Sequence, residues 1–157
     1  MNITGMMKDG ALTDKTILIT GGGTGLGKSM GKYFMELGSN LIITSRKQEI
    51  LDDTANEFNN FHGKVSAIAG DVRKESDVKN IIEHGTKEFG NIDVLINNAA
   101  GNFISPTERL STKAFDVIVD IVLKGTYNYS LLIGKHWIEN KVSLTLLFIN
   151  LNVLTNA

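Results

Sequence analysis

The stretch that decides the fold is KTILITGGGTGLGKSM, residues 15–30. Its first six residues, Lys15 to Thr20, form a short β-rich run that meets a cluster of glycines. Leu26, Met30, Phe34 and Leu37 follow at helical spacing, and Gly38 closes that helix. The glycine spacing, Gly21-x-x-x-Gly25-x-Gly27, differs from the common G-x-G-x-x-G, but the physical need is similar. Gly21 permits a tight turn, Gly25 lets the backbone approach a pyrophosphate, and Gly27 lets the helix pack close to the strand. The loop N–H groups and the helix dipole then face the phosphates. A merely flexible glycine turn is the alternative, and the position between a first strand and a first helix argues against it.

Working outward, strands and helices alternate. LIITS (41–45), KVSAIAG (64–70), IDVLIN (92–97) and SLTLLFI (143–149) read as further strands. Ile50, Leu51, Ala55 and Phe58 mark a second helix; Val78, Ile81, Ile82 and Phe89 mark a third, stopped by Gly90. A long helical region begins near Pro106 and Thr107. It reads either as one helix or as two with a break near Lys124-Gly125. The strands are continuous apolar runs rather than alternating ones, which marks parallel strands covered on both faces. The predicted class is α/β: a Rossmann-like, doubly wound parallel sheet with helices on both faces and right-handed crossovers.

Composition sets limits on partners. The 157 residues suit a single domain with an ordinary apolar content of 42%. A net charge of −1 and the lack of a basic stretch disfavour nucleic acid. With no cysteine there are no disulfides or thiolate metal sites, and His62, His84 and His136 share no ligand spacing, so no metal is expected. The longest apolar run, 142–154, is interrupted by Asn150 and Asn152 and is too short to span a membrane.

The tip of the second strand selects between two dinucleotides. A site for the unphosphorylated form carries an acid about 20 positions beyond the loop. Here the strand ends Thr44-Ser45-Arg46-Lys47, with no acid at its tip. The Ser45 hydroxyl and the Arg46 fork suit a ribose 2′-phosphate, which favours NADP(H). The alternative is that Arg46 and Lys47 merely cap a strand end on the surface. At the third strand's end, Asp71 has two readings: an acceptor for an adenine amino group, or an N-cap for the next helix, a role open also to Glu75 or Ser76.

Gly21-x-x-x-Gly25-x-Gly27, Asp71 and NNAAG (97–101) together resemble the short-chain dehydrogenase/reductase family. Within it, TSRK (44–47) and NNAAGNFISPTERLS (97–111) look like the NADPH-dependent 2,4-dienoyl-CoA reductases, most like the mitochondrial form. The resemblance runs from about Lys15 to about Ile138. It implies that Gly21, Gly22, Gly23, Thr24, Gly25, Leu26 and Gly27 hold the cofactor diphosphate. Ser45 and Arg46 would take the 2′-phosphate side and Asp71 the adenine. Asn97, Ala99 and Gly101 would line the nicotinamide-ribose side. It also implies that Arg73, Asn102, Phe103 and Ser111 contact an unsaturated fatty acyl-CoA. The Asn102 amide would polarise the thioester carbonyl as a preorganised donor, or would be a plain loop asparagine. Homo-oligomerisation through the long helices, a role in fatty-acid β-oxidation and a mitochondrial compartment (ahead of peroxisomal or cytoplasmic) are further implications.

The resemblance also implies a tyrosine and a lysine beside the nicotinamide, the lysine lowering the proton donor's pKa. The tyrosines are Tyr33, Tyr127 and Tyr129, and four positions beyond each stand Leu37, Leu131 and Ile133. Lys124, in LKGT, occupies a place where many relatives carry an asparagine of the proton relay. From about Lys141 the resemblance fades. The expectation is a single, incomplete NADP-binding domain, C-terminally truncated, with residues 1–14 as an N-terminal extension and 141–157 as a divergent tail. Its fifth strand would lie at an edge, its stability would be marginal, and it would be inactive or a non-catalytic NADP- or subunit-binding fragment.

Overall fold

The computed structural model of the chain describes residues 7–101, 106–142 and 145–148. Five strands, β1 (Thr16–Thr20), β2 (Asn40–Ser45), β3 (Val65–Ala69), β4 (Val94–Asn97) and β5 (Thr145–Phe148), form one sheet. The helices are α1 (Gly25–Glu36), α2 (Gln48–Phe58), α3 (Glu75–Phe89), α4 (Thr112–Val119) and α5 (Gly125–Asn140). All strand pairs are parallel, in the order β3-β2-β1-β4-β5. The predicted doubly wound α/β architecture is therefore the observed one.

The pleat explains why the strands are apolar throughout. In β1 all five residues are buried. Ile17 and Ile19 point to one face, where Leu41, Ile43, Met35, Leu51 and Phe58 form a core beneath α1 and α2. Leu18 points to the other, where Ile42, Leu95, Val78, Ile81, Ile133 and Trp137 form a second core beneath α3 and α5. In β1 and β2 neither face is left for solvent, so polar alternation has no role there. Among the described residues β5 is an edge strand, with Val94 opposite Thr145.

The long helical region resolves the choice left by the sequence. It begins with a 3-10 turn at Thr107–Arg109, and α4 runs into α5 through a π-helical turn, Asp120–Lys124, with no chain break. Gly125 is not a helix stop. A Cβ there would lie 2.5 Å from Val72 Cγ2, so the glycine lets α5 press against the turn after β3. At the far end, Lys141 takes a left-handed conformation (φ 54°), and the Val142 N–H donates to the Trp137 carbonyl at 3.0 Å, a Schellman closure. The continuous helical stretch Thr112–Asn140 has 29 residues and is long and apolar enough to cross a membrane by length and composition. The sequence reading, which considered only the run at 142–154, did not register it. Tyr129, Ile133 and Trp137 on this helix are packed into the sheet's core.

Candidate functional site

The strand order reverses between β1 and β4, and a cleft opens beyond the carboxyl ends of the strands at that switch point. Its volume is about 390 Å³. Gly21, Thr24, Gly25 and Leu26 line it from the loop after β1; Ser45 and Arg46 from the end of β2; Gly70, Asp71 and Val72 after β3; Asn98, Ala99 and Ala100 after β4; Ile121 from the π turn. A side lobe of about 240 Å³ opens between Gly23 and Thr24 on one side and Ser45, Arg46, Lys47 and Ile50 on the other.

The glycine loop is built as its spacing requires. Gly25 has φ 53° with nothing within 4 Å of a Cβ position, so the backbone conformation is what demands glycine there. Gly27 is required by space: a Cβ would sit 2.3 Å from the Gly21 carbonyl oxygen. Thr24 is the N-cap of α1, but its side chain makes no capping bond and the first turn holds no acid. The helix's first N–H groups are thus left facing the cleft, where an anion is the natural partner.

Two polar contacts that sequence reasoning did not find hold this loop in place. The Asn98 amide donates to the Thr20 carbonyl at 2.9 Å, while the Asn98 and Ala99 N–H groups donate to Thr20 Oγ1 at 3.0 and 2.9 Å. This clasp ties the end of β1 to the end of β4 across the switch point. From the other side, the buried Thr54 hydroxyl of α2 lies 2.9 Å from the Gly23 carbonyl oxygen. The available signal was a threonine on the apolar stripe of α2, and a threonine at a strand tip next to glycines.

Asp71 is not a helix cap. The N-cap of α3 is Lys74, which makes no side-chain capping bond, and neither Glu75 nor Ser76 fills that role. The Asp71 carboxylate is instead gripped by Arg73: Oδ1 accepts from Nε at 2.9 Å and from the Arg73 N–H at 3.0 Å, and Oδ2 accepts from Nη2. The hydrogen bonds from the Arg73 side chain, and behind them its charge and that of Arg46, bring the Asp71 carboxyl down to about 2. Asp71 is therefore an acceptor at every pH above about 4. Its own N–H donates to Asp77 at 3.0 Å, and the Asn128 amide donates to the neighbouring Val72 carbonyl at 2.9 Å, so the turn is held from α3 and α5.

The remaining predicted residues fall in several places. Arg46 and Lys47 are exposed at the mouth of the side lobe, and no acid stands at this strand tip. Gly22 and Gly23 are buried beneath the loop. Ala99 lines the cleft, whereas Asn97 is buried with its amide on Ser130 Oγ at 3.3 Å, and Gly101 sits against Ile121. Ser111 caps α4, accepting from the Ala114 N–H at 3.2 Å. Asn102 and Phe103 lie outside the described residues. No tyrosine is among the residues lining the cleft. Tyr129 packs in the core, where burial raises its phenol well above the ordinary range. Among the described residues no group of acids and histidines could hold a metal.

N–H donors at a helix start, a cation at one strand tip and an ionised carboxylate beyond the next strand thus border one cleft. Comparison with known proteins identifies the family of the chain. The family model described as short chain dehydrogenase matches residues 15–145. A protein of Bacillus subtilis named "Probable 2,4-dienoyl-CoA reductase", (2E)-enoyl-CoA-producing, is 42% identical over 127 residues, covering 81% of this chain and 50% of that protein. The crystal structure of a short chain dehydrogenase from Bacillus anthracis superposes with a TM-score of 0.82 at 41% identity, covering 86% of this chain and 56% of that one. The 3-ketoacyl-(acyl-carrier-protein) reductase of Brucella melitensis, solved with NADH, superposes with a TM-score of 0.78 at 29% identity, covering 87% and 57%. The chain spans about half the length of the curated relatives it matches.

Proposed function

The chain belongs to the short-chain dehydrogenase family, and from that premise we propose that its cleft takes NADP(H) in an oxidoreductase of the 2,4-dienoyl-CoA reductase type. The observation that carries the reading is the side lobe at the β2 tip. There Ser45, Arg46 and Lys47 offer a hydroxyl and two cations to a 2′-phosphate, and the acid that would select an unphosphorylated ribose is replaced by Arg46. When bound, the cofactor would supply a hydride. The chain's own residues bind and orient it: the α1 N-terminus holds the diphosphate, Asp71 the adenine, and the turn after β4 flanks the ribose of the nicotinamide. The substrate class, an unsaturated fatty acyl-CoA, is proposed from the similarity to dienoyl-CoA reductases, with the mitochondrial compartment and a homo-oligomer as parts of the same reading.

Arg46→Ala tests the cofactor assignment. NADPH affinity should fall about 10- to 100-fold, the loss of a charge-assisted phosphate contact, while NADH affinity stays the same. An unchanged NADPH-to-NADH ratio in a fluorescence titration would remove the assignment.

A second reading is favoured by the lack of a tyrosine in the cleft lining and by Lys124 at an exposed place on the π turn. In it, the 157-residue chain binds NADP(H) without turning it over. Dienoyl-CoA-dependent oxidation of NADPH by the purified chain separates the two. Turnover supports the reductase reading; saturable NADPH binding without turnover supports the second.

A further inference from the structure

We propose that Arg73 sets the base preference of the cleft, as a positioning residue that holds the Asp71 carboxylate with a single acceptor position left for the nucleotide base. The inference rests on the dinucleotide reading above and adds a role for a residue that the sequence reading assigned to an acyl-CoA.

The argument is one of hydrogen-bond capacity. An ionised carboxylate offers four lone-pair positions. Arg73 brings three donors to it. Its backbone N–H goes to Oδ1 at 3.0 Å, its Nε–H is shared between Oδ1 at 2.9 Å and Oδ2 at 3.1 Å, and its Nη2 donates to Oδ2. Three donated protons against four positions leave capacity for one more, and it lies on Oδ2, where the shared Nε–H makes the longer of its two contacts. Asp71 lines the cleft, and its side chain is 13% exposed, so that last position is the part of the carboxylate a ligand can use. It can take one N–H and repels a carbonyl oxygen. Adenine presents an amino group at its six-position; hypoxanthine presents a carbonyl there. A carboxylate free to rotate could instead reach the N1–H that hypoxanthine carries beside its carbonyl. The planar Arg73 fork removes that freedom, because two parallel N–H bonds fix the carboxylate plane. The turn itself cannot yield, since Asp77 accepts from the Asp71 N–H and Asn128 donates to the Val72 carbonyl.

The experiment is equilibrium binding of NADPH and of its hypoxanthine counterpart to the unsubstituted chain, to Arg73→Gln and to Arg73→Lys, with NADH as an internal control. The unsubstituted chain should prefer adenine by about 10- to 100-fold, the range for one hydrogen bond to a charged group. Both variants should lose most of that preference, since glutamine has no charge and lysine no fork. The NADPH-to-NADH ratio should stay unchanged in both, because the 2′-phosphate lies at Arg46. A general loosening of the turn would weaken all three ligands alike and leave the base ratio standing. That pattern, or full preference in Arg73→Lys, overturns the proposal while the cofactor reading survives. Failure of the unsubstituted chain to bind NADPH overturns both. If Arg73→Gln does not fold, the lysine variant decides alone.

Discussion

Gly27→Ala is expected to show none of the NADPH-induced rise in melting temperature that the proposed site should give the unsubstituted chain, and to lower stability without ligand. The added methyl would lie 2.3 Å from the Gly21 carbonyl oxygen, 2.7 Å from the Asn98 amide nitrogen and 2.9 Å from the Gly21 carbonyl carbon. Two of these atoms are backbone, so no side chain can swing aside. Either α1 moves off the sheet or the loop moves into the cleft. Both break the clasp in which Asn98 donates to the Thr20 carbonyl. Overpacking of this kind costs about 1–3 kcal/mol, while alanine returns up to about 1 kcal/mol in helix propensity. The net loss of stability is therefore modest and the loss of binding large, because the displaced N–H groups are the proposed phosphate site. Gly134→Ala is the control. It lies within α5 with nothing within 4 Å of its Cβ position, so it should stabilise the chain slightly and leave binding intact. Thermal melts with and without NADPH read both variants. A normal ligand-induced shift in Gly27→Ala would remove the loop from the site.

Trp137→Ala should unfold much of the chain under conditions where the unsubstituted protein is folded. Trp137 is 2% exposed, the largest of the buried side chains, and packs beneath the sheet with Ile92, Leu95 and Ile133. Truncating a buried tryptophan costs about 3–5 kcal/mol through the cavity it leaves. Its indole N–H also donates to the buried Ile92 carbonyl, so the substitution leaves that acceptor without its partner, at about 1–3 kcal/mol more. A domain's whole stability is typically about 5–15 kcal/mol. Urea denaturation followed by circular dichroism should show the midpoint shifted strongly downward; a midpoint near the original would mean that α5 contributes little to the core. Trp137→Phe, which keeps the ring but not the donor, should fall between.

The two predictions draw on different kinds of legibility. Gly27 could be read from spacing alone, because three glycines between a β run and a helical run have few physical uses. Trp137 could be read as a packing residue but not as the donor to Ile92, which is 45 residues away. The same split runs through the cleft. Arg46 and Asp71 both line the cleft because strand ends in a parallel α/β sheet all point to one rim, so the residues just after each strand are candidates. The resemblance named Asn97 and not Asn98, although their pleat directions depend on where β4 ends. The structure turns Asn97 into the core toward Ser130 and Asn98 toward the glycine loop. The sequence left the Lys124-Gly125 step open between one helix and two; tertiary contact with Val72 gives the glycine its purpose.

By itself, the order of apolar runs and glycines determined the βα alternation, the parallel sheet and the glycine loop between β1 and α1. Those features are set by periodicities and turn chemistry within a few residues of each other. Which groups hold the loop and the Asp71 carboxylate was decided only in three dimensions. Thr20 meets Asn98 across 78 residues and Thr54 meets Gly23 across 31. A hydroxyl or an amide chooses its partner by what the packed chain brings within about 3 Å, and no local pattern records that choice.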